Sequence, residues 1–339
     1  MRALSTRLIT TLIAAAAVMT ACSTGTGSAQ SDAAESGTPA AAASGDQGTW
    51  PRTITDEQGE VTIDAKPERI VSTSLSVTGT LLAIGAPVVA SAATSVSDIT
   101  DDKGFFSQWA DVADERGVEV LYPDLEFDME ALIAADPDLV VVSTSGADSV
   151  LDHYDEIAAE FPTIVVDYSK QTWQDLATQL GEATGLEGEA QASIADFDDY
   201  AATAAQKITA PEGGVSIVSY NGPGSDQGVA KLTGPHAQLM ESLGLDVVEG
   251  PEDLDTSEQP RSDFIFVTLE NLSKAVGGET VFLLTGTEET VSAFASDSVL
   301  ANLPAVQKNQ VYPLGPTSFR IDYYSGKQFV DAVVDALGA

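Results

Sequence analysis

One cysteine, Cys22, and two histidines, His153 and His236, are all the thiol and imidazole chemistry in this chain of 339 residues. A lone thiol cannot form an intrachain disulfide or a cysteine metal cluster, and two histidines make a poor zinc site, so no bound metal is expected. Carboxylates are abundant, with 52 Asp and Glu and adjacent pairs at Asp198-Asp199 and Glu288-Glu289. At that density pairs arise by chance. G-x-S-x-G, P-loop and strand-borne G-x-G-x-x-G motifs are absent. Gly222-Pro223-Gly224 and Gly277-Gly278 read as turns. The chain therefore does not read as an enzyme, and capture of a ligand between lobes is the chemistry left.

Cations are scarce. Fifteen Lys and Arg face those 52 acids, for a formal net charge of −37, and Arg2 and Arg7 already account for two of them. A nucleic-acid surface needs a basic face, so no nucleic-acid partner is expected. The acidity concerns solubility and long-range field and does not bear on fold. Hydrophobic residues make up 43 % of the chain, enough for a large core, and the length suits two lobes.

Arg2 and Arg7 precede the short apolar run Leu8–Val18, which is too short to span a bilayer and reads as a secretory signal. The run leads into Met19-Thr20-Ala21-Cys22, which resembles a bacterial lipoprotein box, implying cleavage after Ala21 and lipidation of Cys22. Two acyl chains make a stable anchor. Ser23–Thr49 holds no aromatic residue and no aliphatic one larger than Ala, so it reads as a flexible tether.

Beyond it, short β-branched runs alternate with helical patterns. Candidate strands are Arg69–Thr73, Pro87–Ala90, Leu139–Ser143 and Thr163–Val166, then Val215–Tyr220, Phe264–Thr268, Val281–Leu284 and Gln310–Leu314. Asp128 should cap a helix carrying Met129, Leu132 and Ile133 that Pro137 stops, and Tyr154, Ile157 and Ala158 mark another. Between the two strand sets, Ala190, Ile194, Phe197, Ala201, Ala205 and Ile208 form one face of a long helix, Glu187–Ile208. The fold class expected is α/β, with two lobes of mainly parallel sheet flanked by helices and joined by a single long linker helix. The expected divisions are a signal peptide at 1–21, lipidated Cys22 and tether at 22–49, an N-terminal lobe at 50–186, the linker helix at 187–209 and a C-terminal lobe at 210–339. A stiff helical linker restricts closure to a small rocking motion.

Ile54–Val71 reads ITDEQGEVTIDAKPERIV, Leu81–Ala90 reads LLAIGAPVVA, and Met129–Ser143 reads MEALIAADPDLVVVS. These stretches resemble the helix-linked, class III substrate-binding proteins of ABC importers for siderophores, haem and cobalamin. More distinctive are GFFSQWADVADERG (Gly104–Gly117), LANLPAVQKNQVYPLG (Leu300–Gly315) and SFRIDYYSG (Ser318–Gly326). They resemble the ferric enterobactin-type, catecholate-siderophore branch, in a correspondence running from Trp50 to the C-terminus.

The resemblance implies a Venus-flytrap-like receptor that binds a ferric catecholate siderophore between its lobes and catalyses nothing. The siderophore itself coordinates the iron, so no cofactor or protein metal ligand is implied. A complex of net charge −3 needs cations, donors and aromatic surfaces. The ligand-binding candidates are Arg320 and Arg261 for charge, and Tyr323 and Tyr324 for a ring face or phenol, of which only one can face a given side of a helix. His236, at a helix start after Pro235, Tyr220, at a strand end, and Trp109 complete the set. The loop Thr144–Asp148 lacks the arginine that some siderophore binders place there, leaving hydroxyls and backbone N–H groups as donors, and His153 reads as a surface residue.

The same resemblance implies docking to ABC permease subunits through Glu130 on one lobe and Glu270 on the other. The protein would be a monomer, lipid-anchored to the outer face of the cytoplasmic membrane. Competing readings are the same scaffold carrying a ferric hydroxamate, haem or cobalamin, an extracytoplasmic hydrolase acting on the siderophore, and a surface interaction protein with a vestigial cleft.

Overall fold

A computed structural model describes residues 48–258 and 261–338. The expected signal peptide, Cys22 and nearly all of the expected tether lie outside the described residues. Among those described, no helix is long and apolar enough to cross a membrane.

The N-terminal lobe runs β1 (Arg52–Asp56), β2 (Gly59–Ile63), β3 (Ile70–Ser72), α1 (Leu75–Ala83), β4 (Val88–Ser91), α2 (Ala110–Glu115), β5 (Glu119–Val120), α3 (Met129–Ala135), β6 (Leu139–Ser143), α4 (Tyr154–Glu160), β7 (Thr163–Val166) and α5 (Trp173–Thr184). Its main sheet has the order β5-β4-β3-β6-β7, with every ladder parallel. Strands β3, β6 and β7 are buried along their whole length, as helices on both faces require of near-continuous β-branched runs. The antiparallel hairpin β1–β2 sits beside β7, where Asp56 Oδ2 accepts the Val165 N–H at 2.7 Å.

Helix α6 (Glu187–Ala205) leads to the second lobe: β8 (Val215–Ser219), β9 (Gln227–Ala230), α7 (Pro235–Ser242), β10 (Phe264–Val267), α8 (Leu269–Ala275), β11 (Thr280–Leu283), α9 (Glu288–Ser296), α10 (Pro304–Gln307), β12 (Val311–Pro313) and α11 (Tyr323–Leu337). The sheet order is β10-β9-β8-β11-β12. Here β8, β11 and β12 are parallel, while β9 and β10 join antiparallel.

Local chemistry sets the element ends. Asp128 accepts the N–H groups of Glu130 and Ala131 and starts α3, which Asp136 ends in the left-handed region just before Pro137. Leu132 is buried as the pattern required, but Ile133 points outward and is 53 % exposed. Helix α6 stops at Ala205, short of the Ile208 that its apolar pattern suggested. There the chain turns to bridge Ile208 to Gly338, and the Thr209 N–H donates to the Leu337 carbonyl. Gly277-Gly278 is a close approach more than a turn, because a Cβ on Gly278 would lie 2.6 Å from the Ser216 nitrogen.

One core cluster runs through both lobes. It joins Ile70, Leu75, Leu81 and Trp109 to Phe197 of α6, to Val215, Ile217 and Phe282, and to Phe329, Val330 and Val333 of α11. The chain crosses between lobes once, yet α11 packs against both α1 and α6. Glycine permits this: a Cβ on Gly326 would lie 2.7 Å from the Phe197 ring, and one on Gly79 2.6 Å from the Asp322 carboxylate. On the outer side, Lys327 bonds Asp196 at 2.6 Å and lies over the rings of Tyr323 and Tyr200.

Candidate functional site

In open α/β sheets, ligands meet the loops at the carboxyl ends of the strands, where order reverses around the first strand. In the N-terminal lobe those loops follow β3 into α1, β6 into 144–149, and β7 into 167–172. In the C-terminal lobe they include the segment from β12 to α11 and the start of α7. These loops enclose a cleft of about 600 Å³. Tyr168, Lys170, Gln108 and Phe106 line it from one lobe, and Arg261, Phe319 and Arg320 from the other. A smaller cavity of about 320 Å³ shares Phe106, Gln108, Phe319 and Arg320 with it and adds Ile99, Leu125 and Asp148.

Arg320 projects into both cavities. Its Nη1 donates to the Tyr168 hydroxyl at 3.1 Å, and its guanidinium carbon stands 5.3 Å from that ring's centroid. The Tyr168 hydroxyl donates in turn to Asp148 Oδ1 at 3.1 Å. Asp148 Oδ2 accepts the Ser74 hydroxyl and the Ser76 N–H, each at 2.8 Å. Burial, followed by the Asp148 charge, raises the Tyr168 phenol above its ordinary value. The neighbouring Asp322 pairs with no arginine. Buried, it caps α11 by accepting the N–H groups of Tyr324 and Ser325, and takes further bonds from the Ser325 hydroxyl at 3.1 Å and from Gln108 at 3.3 Å.

Arg261 also lines the cleft, held to Asp263 by two parallel bonds of 2.8 and 2.6 Å. Lys170 bonds Asp167 at 2.7 Å. Burial alone would push the Asp167 carboxyl up, but Lys170, Ser169 and Ser145 outweigh it and hold the group at about 2.

His236 borders the floor of the cleft, only 3 % exposed. Its Nε2–H is shared between the Ser318 and Phe319 carbonyls, at 3.1 and 2.9 Å, and Nδ1 has no partner. Burial takes its pKa down to about 4 against the opposing pull of those carbonyls, so the ring is neutral. It positions the Phe319–Arg320 loop from below. Phe319 stacks near-parallel on Phe264, with centroids 6.1 Å apart, and is 37 % exposed at the mouth.

Four of the aromatic candidates do not line either cavity. Trp109, the residue before α2, is core, 1 % exposed and packed against Phe105 and Phe106. Tyr220 packs edge-on against Phe294 and donates to Asp297 at 3.3 Å, on the C-terminal lobe's own core. Tyr323 donates to Asp196 at 2.6 Å and braces α11 against α6. Tyr324 stands perpendicular to it, with burial pushing its phenol up to about 12. Residues that do line the cleft and were not singled out include Phe106, Gln108, Tyr168, Lys170, Trp173 and Phe319.

Glu130 and Glu270 occupy equivalent places, exposed in the first turns of α3 and α8 on separate lobes. His153 is a surface residue, stacked on Phe127 and bonded to Glu156.

The arrangement suits a bulky ligand with acceptor oxygens and flat rings: three cations, three phenylalanines and a phenol converge on one cavity. Known proteins agree in architecture. The chain is 41 % identical over 285 residues to the ferric enterobactin-binding periplasmic protein FepB of Escherichia coli O6:H1, spanning 83 % of this chain and 89 % of that protein. It is 27 % identical over 306 residues to the iron(3+)-hydroxamate-binding protein YxeB of Bacillus subtilis, spanning 84 % and 85 %. The crystal structure of holo-ViuP superposes with a TM-score of 0.79 at 42 % identity, covering 86 % of this chain and 97 % of that one. Residues 70–317 match the family described as periplasmic binding protein, and with these relatives they establish that the chain belongs to it.

Proposed function

We propose that this protein is the receptor of an ABC importer that captures a ferric catecholate siderophore between its lobes and hands it to the permease subunits. The observation that carries the reading is the convergence of Arg320, Arg261 and Lys170 with Phe106, Phe319 and Tyr168 on one cleft. Catecholate oxygens on iron are strong acceptors for guanidinium and ammonium groups, and their rings stack on aromatic faces. The relative FepB carries ferric enterobactin binding in its name, and at 41 % identity it favours the same ligand class here. In this reading the iron stays coordinated by the siderophore, the receptor turns nothing over, and Glu130 and Glu270 meet the permease. It works as a monomer outside the cytoplasm, held at the membrane by lipid on Cys22.

A second reading, a neutral ferric hydroxamate, is favoured by one observation: the cleft cations already have carboxylate or phenol partners. Tryptophan fluorescence decides between them, since Trp173 lines the cleft. The purified protein is titrated with ferric enterobactin, a ferric hydroxamate, haem and cobalamin. Selective sub-micromolar quenching by the catecholate supports the proposal. Saturation by another chelate with a flat catecholate curve overturns the ligand, and no response to any of the four overturns the receptor.

A further inference from the structure

Each cation lining the cleft has an acidic counterpart among the described residues, and the three counterparts differ in kind. Asp263 and Asp167 grip Arg261 and Lys170 directly, within the same loop. Either cation can swing away to a ligand, since Arg261 and Lys170 have side chains 48 % and 75 % exposed, while Asp263 and Asp167 stay in place. Asp148 differs in that, among the described residues, its donors are neutral groups and no cation bonds it directly. It is 5 % exposed, it lies on the wall of the smaller cavity, and three donors fix it: the Ser74 hydroxyl, the Ser76 N–H and the Tyr168 hydroxyl.

Two of those donors belong to the start of α1, whose N-cap Ser74 makes no side-chain cap of its own. The open end of a helix attracts anions through its free N–H groups and its dipole. Asp148 brings that anion from the loop after β6, so the end of α1 that points at the cleft is already satisfied by the chain itself. The third donor connects the carboxylate to the cation on the opposite lobe, through Tyr168 to Arg320. A ligand can draw Arg320 away, but it cannot displace a carboxylate held by a helix end and two hydroxyls.

We propose that Asp148 is a specificity-determining residue: a fixed negative charge beside Arg320 that sets how much anionic charge the cleft accepts. It penalises a trianionic iron complex relative to a neutral complex of similar size, and so moderates the affinity that the three cations would otherwise give. Charges in a poorly solvated cleft interact over the width of a ligand, so the effect reaches a complex that never touches Asp148. This inference rests on the siderophore reading given above.

The substitution Asp148→Asn tests it. The amide oxygen can still accept from Ser74 and Ser76, so shape and the helix end are kept while the charge goes. Ala147→Lys is the second variant. Ala147 is exposed on the same cavity wall, and a lysine there offsets the charge without touching the bonds of Asp148. Dissociation constants for ferric enterobactin, charge −3, and a neutral ferric tris-hydroxamate are measured by fluorescence quenching for each protein. Both variants should tighten the catecholate complex by about tenfold relative to the hydroxamate complex. Tyr168→Phe, which removes the link and leaves the charge, should not. Binding of both complexes with the wild-type ratio in either folded variant overturns the role of Asp148 and leaves the siderophore reading standing. Binding of neither complex by the wild type overturns both.

Discussion

Arg320 and Tyr168 meet across the cleft from opposite lobes, the guanidinium donating to the phenol oxygen at 3.1 Å while standing 5.3 Å from the centre of its ring. One cation thus uses a hydrogen bond and a ring face of the same residue. A bound chelate presenting catecholate oxygens and rings would offer Arg320 the same pair of contacts in stronger form, since the acceptor would be anionic.

Replacing Arg320 should therefore cost affinity more than stability. Arg320→Ala is expected to weaken ferric catecholate binding by about 10- to 100-fold, the range for loss of a charged hydrogen bond. Arg320→Lys should recover little of that, because an ammonium lacks the planar fork. Fluorescence titration gives the dissociation constants. An unchanged value for Arg320→Ala would remove Arg320 from the site.

Acid should loosen the fold through His236. Its pKa falls from an ordinary 6.5 to about 4 on folding, so between those values the unfolded chain binds the extra proton and the folded one does not. The contribution is intact above pH 6.5 and is lost as pH falls toward 4, on the order of 3 kcal/mol in all. Denaturant melts from pH 7 to 4 on the wild type and His236→Gln test this, the variant losing less stability over the window. Parallel curves would show that the histidine does not titrate as its burial implies.

The approach of α11 to α1 depends on Gly79. A methyl group there would sit 2.6 Å from Asp322 Oδ2 and 2.8 Å from the Trp109 indole. Both neighbours are buried and fixed, so Gly79→Ala should destabilise the protein by about 1–3 kcal/mol despite the better helix propensity of alanine. Alanine in place of the exposed Gly188 of α6, which has open space around it, should be neutral or slightly stabilising. Chemical denaturation of the two variants reads the difference.

Docking separates from binding. Charge reversal at Glu130 and Glu270 together should abolish siderophore-dependent iron uptake and leave the dissociation constant unchanged, since both side chains are exposed on α3 and α8 and neither lines the cleft. Uptake at the wild-type rate would rule these two residues out as the docking pair.

Much of this architecture could be read from the sequence, because short β-branched runs between Pro, Gly and Asp leave few alternatives. Leu139–Ser143 and Thr163–Val166 match β6 and β7 residue for residue. The hairpin β1–β2 and the strands β9 and β5 are not among the sequence candidates: the hairpin residues are largely exposed or half-buried, Gln227–Ala230 contains a glycine and a glutamine, and β5 is two residues long. At the site, the charged candidates Arg320 and Arg261 do line the cleft, whereas Trp109, Tyr220, Tyr323 and Tyr324 do not. An aromatic ring buries as readily as it binds, and its direction depends on packing that no local pattern encodes. The loop phenylalanines beside the chosen residues, Phe106 near Trp109 and Phe319 next to Arg320, face the cleft instead. Tyr168 and Lys170 carried a signal that could have been used, as both follow directly on a strand that ends at the cleft.

Helix α11 is the element that completes the shared core. Phe329, Val330 and Val333 of α11 join residues from both lobes, so neither lobe has its full interior without α11. The two lobes should consequently melt as a single cooperative unit. A chain cut before Tyr323 would not leave a working half.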